Sequence, residues 1–145
     1  MTTTNAEPQT LAPLPGDCLP IPHVRAEIRD AHGQVGWVLE THIVPGLDLD
    51  GHGSPVVLVP ADRQGLSQND MWWRLFIQRG NCGHELGIVI GIGDPVLEPG
   101  ESHGLRNFSM MESTAMGGSD DLQGIGVTTY AFDGKLYVGG RTENR

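Results

Sequence analysis

One histidine of this chain lies where a metal ligand could be expected, in a turn-rich stretch that follows an apolar run. Gly93, Pro99, His103 and Asn107 follow one another there, and the imidazole of His103 is a side chain that binds zinc, iron or nickel. A metal site needs three or four converging ligands. Neither a His-x-His pair nor a Cys-x-x-Cys pair occurs in the chain. His103 therefore lacks partners, and we expect neither a metal site nor another cofactor.

Two further sets of residues have side chains that occur in catalytic or calcium sites, but each set lacks other residues that such a site requires. Cys82 and His84 are one residue apart in a Gly-rich turn. A thiol nucleophile also needs an orienting group and an oxyanion site, and neither is evident. Asp48, Asp50 and Ser54 are spaced like calcium ligands, but no glutamate follows at the distance that a calcium loop requires. We therefore predict a turn and a solvated loop, and no catalytic residue.

The segments that carry these residues have the periodicity of β-strands. Apolar residues alternate with polar ones over residues 24–28 and 35–43, which predicts a hairpin. The apolar and aromatic runs that follow predict strands at residues 56–59, 72–77, 86–92 and 105–110. Pro99-Gly100 is predicted to form the turn between the last two of these strands. Asp133-Gly134, between the β-rich runs 127–132 and 135–138, is the signature of a type I′ hairpin.

This pattern predicts an all-β fold, either an antiparallel β-sandwich or jelly roll or a small β-barrel. No stretch has helical periodicity over three turns, and Gly, with 21 residues, is about twice its usual share. Residues 1–22 contain five prolines, which favour extended chain over helix. We therefore predict an extended N-terminal arm at 1–22, which we expect to pack on another chain, and a single β domain at 23–145.

Charge and composition exclude several classes of partner. The formal net charge is −9, Lys135 is the only lysine, and the arginines are scattered. We therefore expect neither nucleic acid nor an anionic membrane as a partner. The first residues lack the basic and apolar regions of a signal peptide, so we expect cytoplasmic synthesis without secretion. In that compartment Cys18 and Cys82 are free thiols by default, and their spacing does not decide whether they pair.

Parts of the chain resemble two families. Residues 72–138 are similar to immunoglobulin-like modules of bacteriophage virion proteins. The shared features are the strands 72–77 and 86–92, the intervening Gly-Asn turn, the Leu-x-Pro-Gly-Glu segment and a late Tyr-containing strand. This resemblance implies a role in assembly or binding rather than catalysis. Residues 93–107 resemble the second cupin motif, with a Pro-to-His interval one residue shorter than usual, and that resemblance would make His103 a metal ligand.

We interpret the protein as a non-catalytic structural or binding module. It would assemble with copies of itself or with a larger protein partner, as a virion decoration or accessory protein does, and would then be located in the virion. Successive strand residues face opposite ways, so one of the adjacent Trp72 and Trp73 must face outward, and we expect Trp72 or Trp73 at a subunit interface. The alternative is a small β-barrel or cupin-like enzyme of secondary metabolism, of the cyclase type, with an apolar substrate. The hairpin 24–44 resembles the opening of such barrels.

Overall fold

The computed structural model describes residues 13–29, 32–61, 71–113 and 125–144. Within these residues the chain forms antiparallel strands and no helix, so the prediction of an all-β fold is confirmed. The strands are β1 (Arg25–Arg29), β2 (Val35–Glu40), β3 (His42–Val44), β4 (Val56–Pro60), β5 (Met71–Arg79), β6 (Cys82–Ser102), β7 (Leu105–Ser113), β8 (Ile125–Phe132) and β9 (Tyr137–Asn144). No helix that is long and apolar enough to cross a membrane occurs in this described part of the chain.

Strands β3 to β9 form a meander in which each strand pairs with its neighbours in sequence, while β1 and β2 form a separate ribbon. The 21-residue β6 belongs to both halves of the meander. Its first part pairs with β5 and its second part pairs with β7. The two halves are therefore β3–β6 and β6–β9, and their inner faces enclose the main core in the manner of a β-sandwich.

Strand β6 bends between the two halves at Gly91. Because glycine has no side chain, the backbone of β6 can come close to that of β7 there. A Cβ atom placed on Gly91 would lie 2.7 Å from the carbonyl oxygen of Met111, closer than real Cβ contacts. Glycine at this position lets the two backbones approach at the bend. The result is a single strand that turns the sheet back on itself.

The main core lies between the two halves and centres on stacked aromatic rings. The ring centroid of Phe108 lies 5.2 Å from that of Tyr130 and 4.9 Å from that of Tyr137. The Tyr130 hydroxyl accepts a hydrogen bond from the Ile90 N–H at 3.0 Å, and the Tyr137 hydroxyl donates to the Arg106 carbonyl at 2.7 Å. Burial raises the pKa of both phenols. The aromatic rings thus fill the core while their polar tips keep hydrogen-bond partners.

Most predicted strands are present, but the structure differs from the prediction in one strand and one turn. The return strand predicted at 35–43 is divided at Thr41: β2 pairs with β1, whereas β3 pairs with β4 in the other sheet. The predicted turn at Pro99-Gly100 is also wrong, because β6 continues through it as a bulge between Leu97 and Glu101. The turn comes later, at His103-Gly104, where both residues have positive φ (52° and 91°), as in a type I′ hairpin.

The hairpin of β8 and β9 is confirmed, but its predicted type I′ turn is wrong. Phe132 pairs with Tyr137, so the loop has four residues, and the positive-φ residue is Gly134 and not Asp133. The Asp133 carboxylate accepts hydrogen bonds from the N–H groups of Lys135 at 2.8 Å and Leu136 at 2.9 Å. These bonds lower the pKa of Asp133 and satisfy the loop backbone locally, which favours the longer loop.

We expect Gly134→Val to lower the free energy of unfolding by about 1–3 kcal/mol, because valine is strained at a φ of 102°. Thermal unfolding measures the effect. The control is Lys135→Val in the same loop, at an exposed residue whose φ is not positive, with an expected change within about 0.5 kcal/mol. Equal midpoints for wild type and Gly134→Val would contradict this loop conformation.

The described part of the N-terminal arm packs on its own domain. Cys18 and Cys82 form a disulfide with a Cα–Cα distance of 5.3 Å, so the expectation of free thiols is wrong. Leu19 and Gly83 exchange two backbone hydrogen bonds, and Ile21 packs against an apolar cluster on the outer face of β4 and β5. Residues 13–22 thus contact their own domain, and the expectation that the arm also packs on another chain stays a prediction. Residues 1–12 lie outside the described part.

Candidate binding surface

His103 has a structural environment in the β6–β7 turn. Its Nδ1 lies 2.9 Å from the carbonyl oxygen of Phe132. A carbonyl can only accept, so Nδ1 carries the hydrogen and donates it. The ring also lies near Gly134, with its Cδ2 3.8 Å from the position of a Cβ atom built there. His103 therefore joins the two hairpin turns at one end of the sandwich.

The described residues contain no group of three or more His, Cys, Asp or Glu side chains placed to hold a metal ion. Cys82, which is separated from His84 by one residue, is not a free thiol, because it is bonded to Cys18. His84 instead donates through Nδ1 to the carbonyl of Pro15, at 3.4 Å.

The Ser102 hydroxyl donates to Oδ1 of Asn107, the residue four positions after His103, at 3.0 Å. The Ser102 and Asn107 side chains thus form a hydrogen bond between β6 and β7 beside their connecting turn.

The loop between β3 and β4 uses its carboxylates internally. The Asp50 side chain is 2% exposed, and it accepts hydrogen bonds from the backbone N–H of His52 at 2.9 Å and from the Ser54 hydroxyl. Arg79 Nη2 lies 3.3 Å from the same carboxylate. Burial by itself would raise the pKa of Asp50, but these hydrogen bonds together lower it. The segment that is spaced like a calcium loop thus uses its carboxylates for hydrogen bonds within the loop and for one contact with Arg79.

Trp72 and Trp73 lie on opposite faces of β5, as the alternation of strand residues requires. Trp73 is 7% exposed in the main core, and its indole N–H donates to the Gly91 carbonyl at 3.4 Å. Trp72 lies half-buried on the outer face beside Ile90, and within the described residues its buried Nε1 has no hydrogen-bond partner. Of the two tryptophans that we predicted for an interface, Trp72 is on the side that a partner could approach.

The outer face around Trp72 is partly polar. The next residue on that face of β5, Arg74, makes two bonds to the Glu85 carboxylate, at 2.8 and 3.1 Å, and its guanidinium lies over the Phe76 ring. Ile88, opposite Arg74, is exposed. This half of the sandwich therefore offers single apolar side chains between charged ones.

The outer face of the second half carries several exposed apolar side chains. We call it the β6–β9 face and define it by Val96, Ser109, Met111, Val127, Thr129, Ala131 and Val138. Val96 is 60% exposed, Met111 44% and Val138 51%. None of the defining side chains carries a charge, and the Ser109 hydroxyl donates to the neighbouring Glu98 carboxylate at 2.7 Å. Contiguous apolar surface of this kind on a folded protein commonly marks an interaction site.

Sequence reasoning missed the β6–β9 face, although a signal for it was present. Strands β6, β7 and β9 contain adjacent apolar residues, at 96–97, 110–111 and 137–138. In each pair one side chain is buried or half-buried in the core, so the other must face outward. Two consecutive apolar residues on an otherwise alternating strand therefore indicate a sheet with apolar groups on both sides.

Comparison with protein-family models, with curated proteins and with solved structures finds no match to this chain.

Proposed function

We propose that the protein is a non-catalytic structural or binding module that assembles with copies of itself through the β6–β9 face. The observation that carries the proposal is the exposure of Val96, Met111 and Val138 on the outer side of strands β6–β9. Folding leaves these side chains in water, and a second copy would remove them from it. Apolar area removed from water stabilises an association by roughly 25 cal/mol per Å² before the entropic costs of binding.

Charge favours this face over the rest of the surface. The chain has a formal net charge of −9, so two copies repel each other wherever acidic surfaces meet. The exposed side chains Val96, Met111 and Val138 are uncharged. Of the neighbouring glutamates, Glu98 already accepts a hydrogen bond from Ser109, and Glu143 is the strand partner of Val127. Interface centres are depleted of charged residues in the same way.

We further propose that the assembly is of the virion decoration or accessory type, or that it joins a larger protein partner, as the resemblance of residues 72–138 to virion modules implies. Trp72 remains a predicted contact at the edge of such an assembly. The cupin-like form of the enzyme alternative needs a metal site, and the described residues hold no group of three or more His, Cys, Asp or Glu placed for a metal ion.

Sedimentation of wild-type protein and of Val138→Glu tests the proposal. We expect a wild-type oligomer and, for the variant, a dissociation constant raised by about tenfold or more, because a carboxylate would be buried in the interface. Val38→Glu is the matched control: it makes the same substitution at a valine that is 42% exposed on the β1–β2 ribbon, and it should leave assembly unchanged.

Two results would contradict the proposal. A wild-type protein that stays monomeric at high concentration would exclude assembly with copies of itself. An equal shift in Val138→Glu and Val38→Glu would show that the added negative charge, and not its position on the β6–β9 face, weakens association.

A further inference from the structure

An N-terminal segment covers the outer face of the first half of the sandwich. We call residues 13–24 the strap. Its side chains Ile21 and Val24 pack against the buried cluster of Val57, Val59 and Phe76, which lies on the side of β4 and β5 away from the main core. Without the strap, this second apolar cluster would face solvent.

Thr41 holds the end of the strap that leads into β1. Its hydroxyl donates to the Pro22 carbonyl at 2.9 Å and accepts from the Val24 N–H at 3.0 Å. Its backbone N–H donates to the Val24 carbonyl at 3.0 Å. This attachment is non-covalent and does not depend on either cysteine.

The middle of the strap is held differently. Residues 16–20 are all exposed, so little side-chain burial stabilises them. Leu19 and Gly83 exchange two backbone hydrogen bonds, at 3.0 and 2.7 Å, and the neighbouring Cys18 is bonded to Cys82. Ordering a segment of exposed chain costs conformational entropy that two solvent-accessible hydrogen bonds offset only in part. On the N-terminal side of residues 16–20, Leu14 packs against the main core and the Pro15 carbonyl accepts a hydrogen bond from His84 at 3.4 Å. Residues 16–20 therefore lie between two non-covalent attachments, and the disulfide is the covalent link that holds them to β6.

The strap also fits closely against the sheet. A Cβ atom built on Gly83 would lie 2.6 Å from Cγ1 of Ile21 and 3.1 Å from the Phe76 ring. Ile21 thus lies on the backbone of β6, where only glycine leaves room for it. Its position depends on the chain immediately before it, which contains Cys18.

We infer that the Cys18–Cys82 disulfide is a redox lock on the strap. A dithiol reductant donates two electrons and two protons, the sulfur–sulfur bond breaks to give two thiols, and the reductant becomes a disulfide. Residues 16–21 then leave the sheet, while Leu14 and Pro15 keep their own contacts and residues 22–24 form the hinge because Thr41 still holds them. The oxidised protein keeps Phe76 and Gly83 covered, and the reduced protein opens this surface. The inference does not rest on the proposed assembly function.

Amide hydrogen exchange of the full chain, followed by NMR with and without dithiothreitol, tests the lock. The reporters are the N–H groups of Leu19 and Gly83, because each donates to the other residue's carbonyl. We expect reduction to speed their exchange by about tenfold or more, while the amides of the central β7 residues Phe108 and Met110 change by less than about twofold. Cys18→Ser should show the fast exchange without reductant and should not respond to dithiothreitol.

Two outcomes would overturn the inference. If Leu19 and Gly83 keep their protection after reduction, the non-covalent contacts suffice and the disulfide is no lock. If Phe108 and Met110 lose protection together with them, the disulfide stabilises the whole domain and does not control one segment. Thr41→Val checks the hinge: in the oxidised protein it should speed exchange at Val24 while Leu19 and Gly83 stay protected, and equal loss at all three would exclude two separate attachments.

Discussion

Truncation of Phe108 to alanine is expected to lower the free energy of unfolding by about 3–5 kcal/mol, the range for removal of a fully buried phenyl ring. Phe108 has no exposed surface and packs against the rings of Tyr130 and Tyr137. Its loss would leave a cavity between two tyrosines whose hydroxyls are held by backbone groups of β6 and β7, so the rings cannot easily move to fill it. For a domain of this size the thermal midpoint should fall by roughly 10 °C.

Val96→Ala is the control for this substitution. Val96 is 60% exposed, and its neighbour Leu97 pairs with Phe108, so the two positions share a region of sheet but differ in burial. We expect a change within about 0.5 kcal/mol for the exposed valine. Similar midpoints for the two variants would show that the aromatic stack is not the centre of the core.

Replacement of Asp50 by alanine is expected to cost about 3 kcal/mol, the effect of removing one partner of a buried ion pair. The Asp50 carboxylate is 2% exposed and accepts hydrogen bonds from the backbone of His52, from Ser54 and from Arg79. Without it, the Arg79 guanidinium loses this carboxylate and a loop N–H loses its acceptor. Urea unfolding at neutral pH measures the loss.

The cost of Asp50→Ala should depend on pH with a definite sign. Burial would raise the pKa of Asp50, but hydrogen bonds from Ser54, His52 and Arg79 outweigh burial and hold the pKa below its ordinary value of 3.8. A carboxyl whose pKa falls on folding contributes stability above its unfolded value, and that stability is lost as pH falls through the folded value. The difference between wild type and variant should therefore be constant above about pH 5 and shrink below about pH 4.

Asp48→Ala, in the same loop, is the matched control. The Asp48 carboxylate accepts a hydrogen bond from the Gly53 N–H at 2.9 Å, and its loss should cost about 1 kcal/mol. If Asp48→Ala is as destabilising as Asp50→Ala, the ion pair with Arg79 is not what stabilises the loop. A cost of Asp50→Ala that stays unchanged at low pH would contradict the lowered pKa.

The candidate site was predictable only in part. The placement of Trp72 and Trp73 on opposite faces followed from strand geometry, but the side that faces the core depends on which surface the second half of the meander covers. Pro99-Gly100 has the composition of a turn, yet its residues form a bulge, because strand β7 continues to pair with β6 on both sides of it. Pro and Gly indicate that the backbone departs from regular strand geometry. Whether the strand ends there depends on whether the neighbouring strand continues to pair beyond the irregularity.

By itself, the sequence determined the all-β class, most strand positions and the site of the β8–β9 hairpin, because alternation and short turn motifs act over a few residues. Tertiary structure alone decided that Cys18 bonds Cys82 across a separation of 64 residues and that the strap covers the cluster around Phe76. It also decided that Val96, Met111 and Val138 are exposed on the outer side of strands β6–β9. These outcomes depend on how a long, bent β6 brings distant segments together, and no local pattern encodes that geometry.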